Sequence, residues 1–274
     1  MLSTKKIRPF LKWAGNKFGC IEDIVCHFPP GARLIEPFLG SGAVFLNTEF
    51  ASYILGEQNQ ILVSMYQLLQ NESTDFIEYC RRWFTEYYNT SKQYYQIRDE
   101  FNCSENIRKK AAMFLYLNRH GFNGLCRFNS KGKYNVPYGD KKKPYFPEKE
   151  LLAFAEKAKQ AIFINCDYQE TFKHAQRGDI IYCDPPYQPL NKSASFTSYT
   201  QHKFGFEQQL QLVELAQEYR KKGCHVFISN HDTELTMELY EQAYEIYSLM
   251  VSRRISCKAD TRQSVKELIA YYRP

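Results

Sequence analysis

Leu34-Ile35-Glu36-Pro37-Phe38-Leu39-Gly40-Ser41-Gly42-Ala43 decides the architecture, because it reads as a strand end, a glycine turn and the start of a helix. Backbone amides at such a junction can approach a ligand closely: glycine adds no Cβ, and a helix start presents unpaired N–H groups. Read as GxGxxG from Gly40, the third glycine position falls on Phe45, so helix–strand packing of the dinucleotide-binding type fails. Ser52 to Gly56 reads as a second strand and ends at Glu57, 17 positions after Gly40. An acid there can accept hydrogen bonds from both hydroxyls of a ribose. Turn and acid together predict a nucleoside-bearing cofactor without a pyrophosphate, a description that S-adenosylmethionine fits.

Working outward, the turn is followed by a helical stretch from Ala43 to Phe50. Ala161–Asn165, Asp179–Cys183, Cys224–Ser229 and Lys266–Tyr272 are further strand candidates. Glu207–Lys222 carries Leu210, Leu212, Val213, Leu215 and Ala216 at helical spacing and closes at Gly223. Alternating segments of this kind predict an α/β sheet with helices on its faces. The middle differs: from about Asn59 to Pro147 the pattern is helical and polar, then rich in Gly, Asn, Lys, Arg and aromatics, with Lys141-Lys142-Lys143 near its end. The expected organisation is a core of residues 1–58 and 148–274 interrupted by an insertion of residues 59–147, whose basic and aromatic loop is a candidate recognition surface.

The strand candidate Asp179–Cys183 runs into Asp184-Pro185-Pro186-Tyr187. Each proline fixes its own φ and pushes its predecessor toward extended geometry, so the turn is nearly preset. A carboxylate oxygen and a neighbouring carbonyl can then aim at one amino group while Tyr187 offers a face to a planar base. That set suits chemistry on the exocyclic amine of a nucleobase. Taken alone, it also fits a proline-rich turn after an edge strand.

Composition sets outer limits. A formal net charge of +6 and 16% aromatic residues fit contact with a polyanion whose bases stack on rings. Nine cysteines, with no CxxC pair and no HExxH among six histidines, argue against a structural metal and for a reducing compartment. No apolar run approaches a membrane span and the N-terminus has no signal-peptide pattern, so a soluble cytoplasmic protein is expected.

A third segment, Phe10-Leu11-Lys12-Trp13-Ala14-Gly15-Asn16-Lys17, puts an aromatic ring beside a small-residue turn and two lysines. Together FLKWAGNK, EPFLGSGAVFLN, FLYLNRHGFNGLCRFN, NVPYGDKKKPYFPE, YCDPPY and ISNHDT resemble the Dam-type DNA adenine methyltransferases, bacterial and phage enzymes that methylate adenine within GATC. The resemblance covers nearly the whole chain, in the order of the α group of amino-methyltransferases.

It implies a Rossmann-like S-adenosylmethionine-dependent methyltransferase sheet with an inserted helical and loop DNA-recognition domain. It also implies a monomer acting on double-stranded DNA without a metal, associated with the nucleoid. At matching positions, Asp184, Pro185, Pro186 and Tyr187 would be catalytic. Trp13, Ala14, Gly15, Lys17, Glu36, Phe38, Gly40, Glu57, Asp167 and Asp184 would bind the cofactor, with Lys17 reaching its carboxylate. Phe122 would enter the base stack as the adenine is extruded, beside Asn123. Lys12, Leu125, Arg127 and Pro137 would read base edges, Arg127 suiting a guanine. Arg119, Asn129 and Asn135 would contact phosphates, and Lys142 would also bind DNA. Three departures stand out: Asn16 replaces a family glycine, Glu57 replaces a shorter acid, and the loop Ser256–Arg262 lacks a glycine pair. A catalytically silent DNA-binding relative, and an amino-methyltransferase of another sequence or base, remain open at this point.

Overall fold

A computed structural model describes residues 6–187, 204–252 and 264–274, so the loop Ser256–Arg262 lies outside the described residues. Seven strands, β1 Arg33–Glu36, β2 Ser52–Gly56, β3 Ala161–Ile164, β4 Ile180–Cys183, β5 His225–His231, β6 Glu245–Ser252 and β7 Ser264–Tyr272, form one sheet in the order β3-β2-β1-β4-β5-β7-β6. The first five are parallel, and β7 runs antiparallel between β5 and β6. The helices among the described residues are α1 Ile21–Val25, α2 Ala43–Leu46, α3 Gln60–Arg81, α4 Ser91–Cys103, α5 Ile107–His120, α6 Glu148–Ala158, α7 Tyr168–Phe172, α8 Phe206–Lys221 and α9 Glu234–Leu239. The expected α/β, Rossmann-like sheet is thus present. No helix among the described residues is long and apolar enough to cross a membrane.

Side chains of period two explain the layers. Leu34, Tyr53, Leu55, Ile180 and Tyr182 face one apolar core, while their neighbours Ile35, Ile54, Ile181 and Cys183 face another. Strands covered on both sides read as continuous apolar runs, which is why the central ones were legible. The second core is closed by Leu212, Val213, Ala216 and Tyr219 of α8 and by Phe172 of α7. The first takes in Leu62, Tyr66 and Leu69 of α3, Phe114 and Leu117 of α5 and Phe154 of α6, so these helices pack into the same core as one face of the sheet. Gln67 Nε2 donates to Phe163 O at 3.2 Å, tying α3 to the rim of β3.

Two local expectations change. The helix read as Ala43 to Phe50 stops at Leu46, because the Asn47 side chain turns back to Ala43 O at 2.8 Å and pairs with the main chain of Ile7. Side chains that satisfy backbone groups locally compete with helix continuation. β6 was not read at all, since Glu245 to Ser252 mixes exposed polar and apolar positions at the sheet edge.

The order reverses between β1 and β4, whose neighbours Leu34 and Ile180 are in register. Ligands of open α/β sheets bind at the carboxyl ends of strands at such a switch point. β1 delivers Glu36 and the glycine turn there, and β4 delivers Asp184.

A candidate active site at the switch point

Lys17 enters the site from a short helical turn, Lys17–Gly19, capped by Asn16, whose Oδ1 accepts from Phe18 N at 2.7 Å. The Asn16 amide also donates to Ser41 Oγ at 3.0 Å, clasping the N-terminal loop to the glycine turn. Lys17 Nζ donates to Gly15 O at 3.0 Å and lies 2.7 Å from Asp184 Oδ1 and 3.8 Å from Glu267 Oε2. Burial alone would push its pKa down, but the carboxylates of Asp184 and Glu267 outweigh it and hold the ammonium above its ordinary value. Lys17 is thus held against Asp184 and Glu267 at the switch point.

The Asp184–Tyr187 turn forms the floor. Pro185 is buried, and Pro186 O accepts from Gln209 Nε2 at 3.4 Å. Behind it Gln209, Asn230 and Tyr240 form a buried polar cluster, with Asn230 Nδ2 donating to Gln209 Oε1 at 3.1 Å and Tyr240 OH at 2.9 Å. The Tyr187 ring lies beneath Lys17 Nζ at 4.7 Å and meets His231 edge-on at 4.6 Å. Its hydroxyl donates to Glu267 Oε2 at 3.2 Å. Burial, with the Asp184 and Glu267 charges, raises the phenol pKa well above its usual range, so it stays a neutral donor.

Glu36, at the end of β1, is buried, and its Oε1 has no hydrogen-bond partner. Burial and the nearby Asp184 carboxylate raise its pKa well above the usual range. Glu57 accepts from Gly40 N at 3.0 Å and Asn59 N at 2.8 Å, and burial raises its pKa against those two bonds. One carboxylate thus pins the glycine turn to the end of β2. An ionised carboxylate offers about four lone-pair sites, so these backbone bonds do not exhaust its capacity to accept. Gly40 has φ +51°, which favours glycine, and a Cβ there would meet the Trp13 side chain at 3.0 Å, so Trp13 would have to shift to admit one. Phe38 stacks on Tyr168 at 5.3 Å. Asp167 is exposed and caps α7 through Glu170 N at 2.9 Å, and Ala14 and Gly15 are exposed.

The loop after α5 brings most of the remaining candidates together. Phe122 is 42% exposed, and its N–H donates to Pro137 O at 2.9 Å. Asn123 is exposed at φ +51°. Gly124, at φ +67°, leaves room for Lys12, whose Cδ would lie 2.2 Å from an added Cβ. The main chain of Lys12 pairs both ways with the Asn118 side chain, at 2.9 and 2.8 Å. Tyr134 OH donates to Leu125 O at 3.0 Å. Exposed Arg127 donates through Nε to Asn135 Oδ1 at 2.8 Å, while Asn129 Oδ1 accepts from Lys131 N and Lys133 N at 2.9 and 3.0 Å. Lys142 and Pro137 are exposed.

Arg119 does not join them. It is only 9% exposed, donates to Phe10 O, and burial pushes its pKa down to about 10. Placed on the last turn of an amphipathic helix, it faces inward, which its charge alone did not reveal. The neighbouring Lys141, passed over in favour of Lys142, donates to Arg119 O at 2.6 Å and Gly121 O at 3.1 Å. Glu267 was also missed; its signal was a lone acid in the apolar run Glu267-Leu268-Ile269-Ala270.

Residues 13–255 match the family model described as D12 class N6 adenine-specific DNA methyltransferase. The chain is 46% identical over 270 residues to the DNA adenine methylase of Escherichia coli, covering 98% of this chain and 97% of that one. It is 47% identical over 271 residues to the DNA adenine methylase of Vibrio cholerae, covering 98% of each. The Serratia marcescens DNA adenine methylase is 46% identical over 270 residues, covering 98% of this chain and all of that one, 100%. With its Rossmann-like sheet and glycine turn, the chain belongs to the D12 class of N6 adenine-specific DNA methyltransferases and is an enzyme that methylates adenine in DNA.

Proposed function

We propose that this enzyme takes its methyl group from S-adenosylmethionine and acts as a monomer, in the cytoplasm, on adenine extruded from duplex GATC. The observation that carries the reading is the meeting, at one switch point, of the Asp184–Tyr187 floor with the glycine turn pinned by Glu57. The cofactor fit rests on the buried, unpartnered Glu36 Oε1 beside that turn and on the Gly40 backbone, whose φ of +51° favours glycine. Trp13, Gly15, Phe38, Gly40, Glu57 and Asp167 would hold the donor. When bound it supplies an electrophilic methyl carbon on a sulfonium.

The chain's own groups do the rest. The adenine amine is a poor nucleophile because its lone pair is delocalised into the ring. Hydrogen bonds from that amine to the Asp184 carboxylate and the Pro185 carbonyl favour a pyramidal nitrogen with an available lone pair. The Tyr187 face fixes the direction of the base, and positioning of this kind contributes roughly 7–11 kcal/mol. Extrusion costs about a few kcal/mol, offset in part by Phe122 filling the gap. Residues 59–147 act as the recognition unit and the remainder as the catalytic core. Arg127, preset by Asn135, addresses a guanine, while Lys12, Leu125 and Pro137 line the same loop.

The test is Asp184→Ala, assayed by transfer of a labelled methyl group to GATC duplex. Near-normal turnover would overturn the catalytic assignment. Sequencing of modified adenines in cells expressing the chain reads the target directly, and methylation outside GATC would correct the sequence.

A further inference from the structure

Strand β7 brings a carboxylate under the catalytic floor from outside the Asp184–Tyr187 turn. Glu267 pairs with His231 in the antiparallel ladder of β5 and β7 and is 7% exposed. A carboxylate at the head of an apolar strand run is expensive to bury unless it is paired and hydrogen-bonded. Here it accepts from Tyr187 OH at 3.2 Å and lies 3.8 Å from Lys17 Nζ. Lys17 in turn contacts Asp184 Oδ1 and sits over the Tyr187 ring. Glu267 therefore touches both Tyr187 and Lys17, the two groups that flank Asp184.

We propose that Glu267 is a positioning residue for methyl transfer, acting through Tyr187 and Lys17. Its bond to the phenol hydroxyl restrains the ring against which the target base lies. Its charge holds the Lys17 ammonium between two carboxylates, which keeps Lys17 on one oxygen of Asp184 and leaves the other for the amine. The inference rests on reading Asp184–Tyr187 as the catalytic floor.

The experiment compares Glu267→Ala, Glu267→Gln, Tyr187→Phe and the double variants, in steady-state kinetics with folding checked by thermal unfolding. Glu267→Ala is expected to lower kcat by up to about 100-fold, the scale of an ångström-sized misplacement, with the KM for DNA moved far less. Glu267→Gln keeps an acceptor for the Tyr187 hydroxyl and is expected to recover part of that loss. In the Tyr187→Phe background, where the hydroxyl is gone, Glu267→Ala should lower kcat by a smaller factor, since contacting residues couple. An unchanged kcat, or the same factor in both backgrounds, would overturn the proposal. If Glu267→Ala does not fold, Glu267→Gln with and without Tyr187→Phe gives the same comparison. Asp184→Ala separates the two ideas. An active Asp184→Ala removes the floor itself, whereas an inactive one beside a normal Glu267→Ala rejects only the role of Glu267.

Discussion

Lys17 Nζ and Asp184 Oδ1 lie 2.7 Å apart, although one residue follows Gly15 near the N-terminus and the other directly follows β4. The pair is asymmetric: Lys17 also has Glu267 and Gly15 O, and its side chain is 5% exposed against 22% for Asp184. Removing one partner of a buried pair costs about 3–5 kcal/mol, because the other charge is left uncompensated. Lys17→Met leaves two carboxylates facing each other, whereas Asp184→Asn leaves the ammonium with Glu267. Lys17→Met should therefore destabilise more than Asp184→Asn, with a lower urea midpoint. The reverse order would mean that the Asp184 partner, not Glu267, dominates the environment of Lys17.

Glu36 gives a pH test of the site. Burial, reinforced by Asp184, raises its folded-state pKa well above the usual carboxylate value, so it folds as a neutral acid. Above the unfolded value of about 4.3 the unfolded chain has released that proton while the native chain keeps it. The native state then binds more protons, and stability falls as pH rises from there toward the folded-state value. Glu36→Gln has no proton to release. Its melting temperature relative to wild type should rise as the pH is raised from 5 toward the folded-state value of Glu36, measured without ligands. A constant difference across that range would show Glu36 to be ionised in the fold.

The central strands and the Asp184–Tyr187 turn were legible because they rest on local rules. Two-sided burial makes β2 and β4 largely apolar runs, and prolines preset the turn. β6 escaped because an edge strand with exposed polar positions has no such run. Glu57 was legible by its spacing from Gly40, but its bonds to Gly40 N and Asn59 N depend on how β1 and β2 end side by side. Arg119 and Glu267 show the harder limit. Both are charged residues facing inward, and the partners that make this tolerable, Phe10 O for one and Tyr187 and Lys17 for the other, lie far away in sequence.

Phe122 separates stability from extrusion. At 42% exposure it contributes little to the core, so Phe122→Ala should alter unfolding free energy by less than about 0.5 kcal/mol. If its ring fills the space left by an extruded adenine, the variant should methylate at least about tenfold more slowly, since unstacking costs a few kcal/mol. A duplex carrying 2-aminopurine at the target position reads the step directly, because the analogue brightens when unstacked. Loss of that brightening with unchanged stability is expected. Full brightening would place the wedge at another side chain.

Lys141 should make DNA binding by the proposed recognition loop sensitive to mild alkali. Its ammonium sits on Arg119 O and Gly121 O at the end of α5, immediately before Phe122. Burial, with the charges of Lys12 and Arg119, lowers its pKa to about 8. Phosphates brought close by a duplex favour the charged form, so binding raises that pKa and takes up a proton. Affinity for duplex DNA should then be full below pH 8 and fall as pH rises through it. Lys141→Met removes the titrating group and should bind more weakly at pH 7, with a flatter profile between pH 7 and pH 9. Fluorescence anisotropy at fixed ionic strength measures both curves. Parallel profiles would show that the fall arises from another group, because Lys141 is the change between the two proteins.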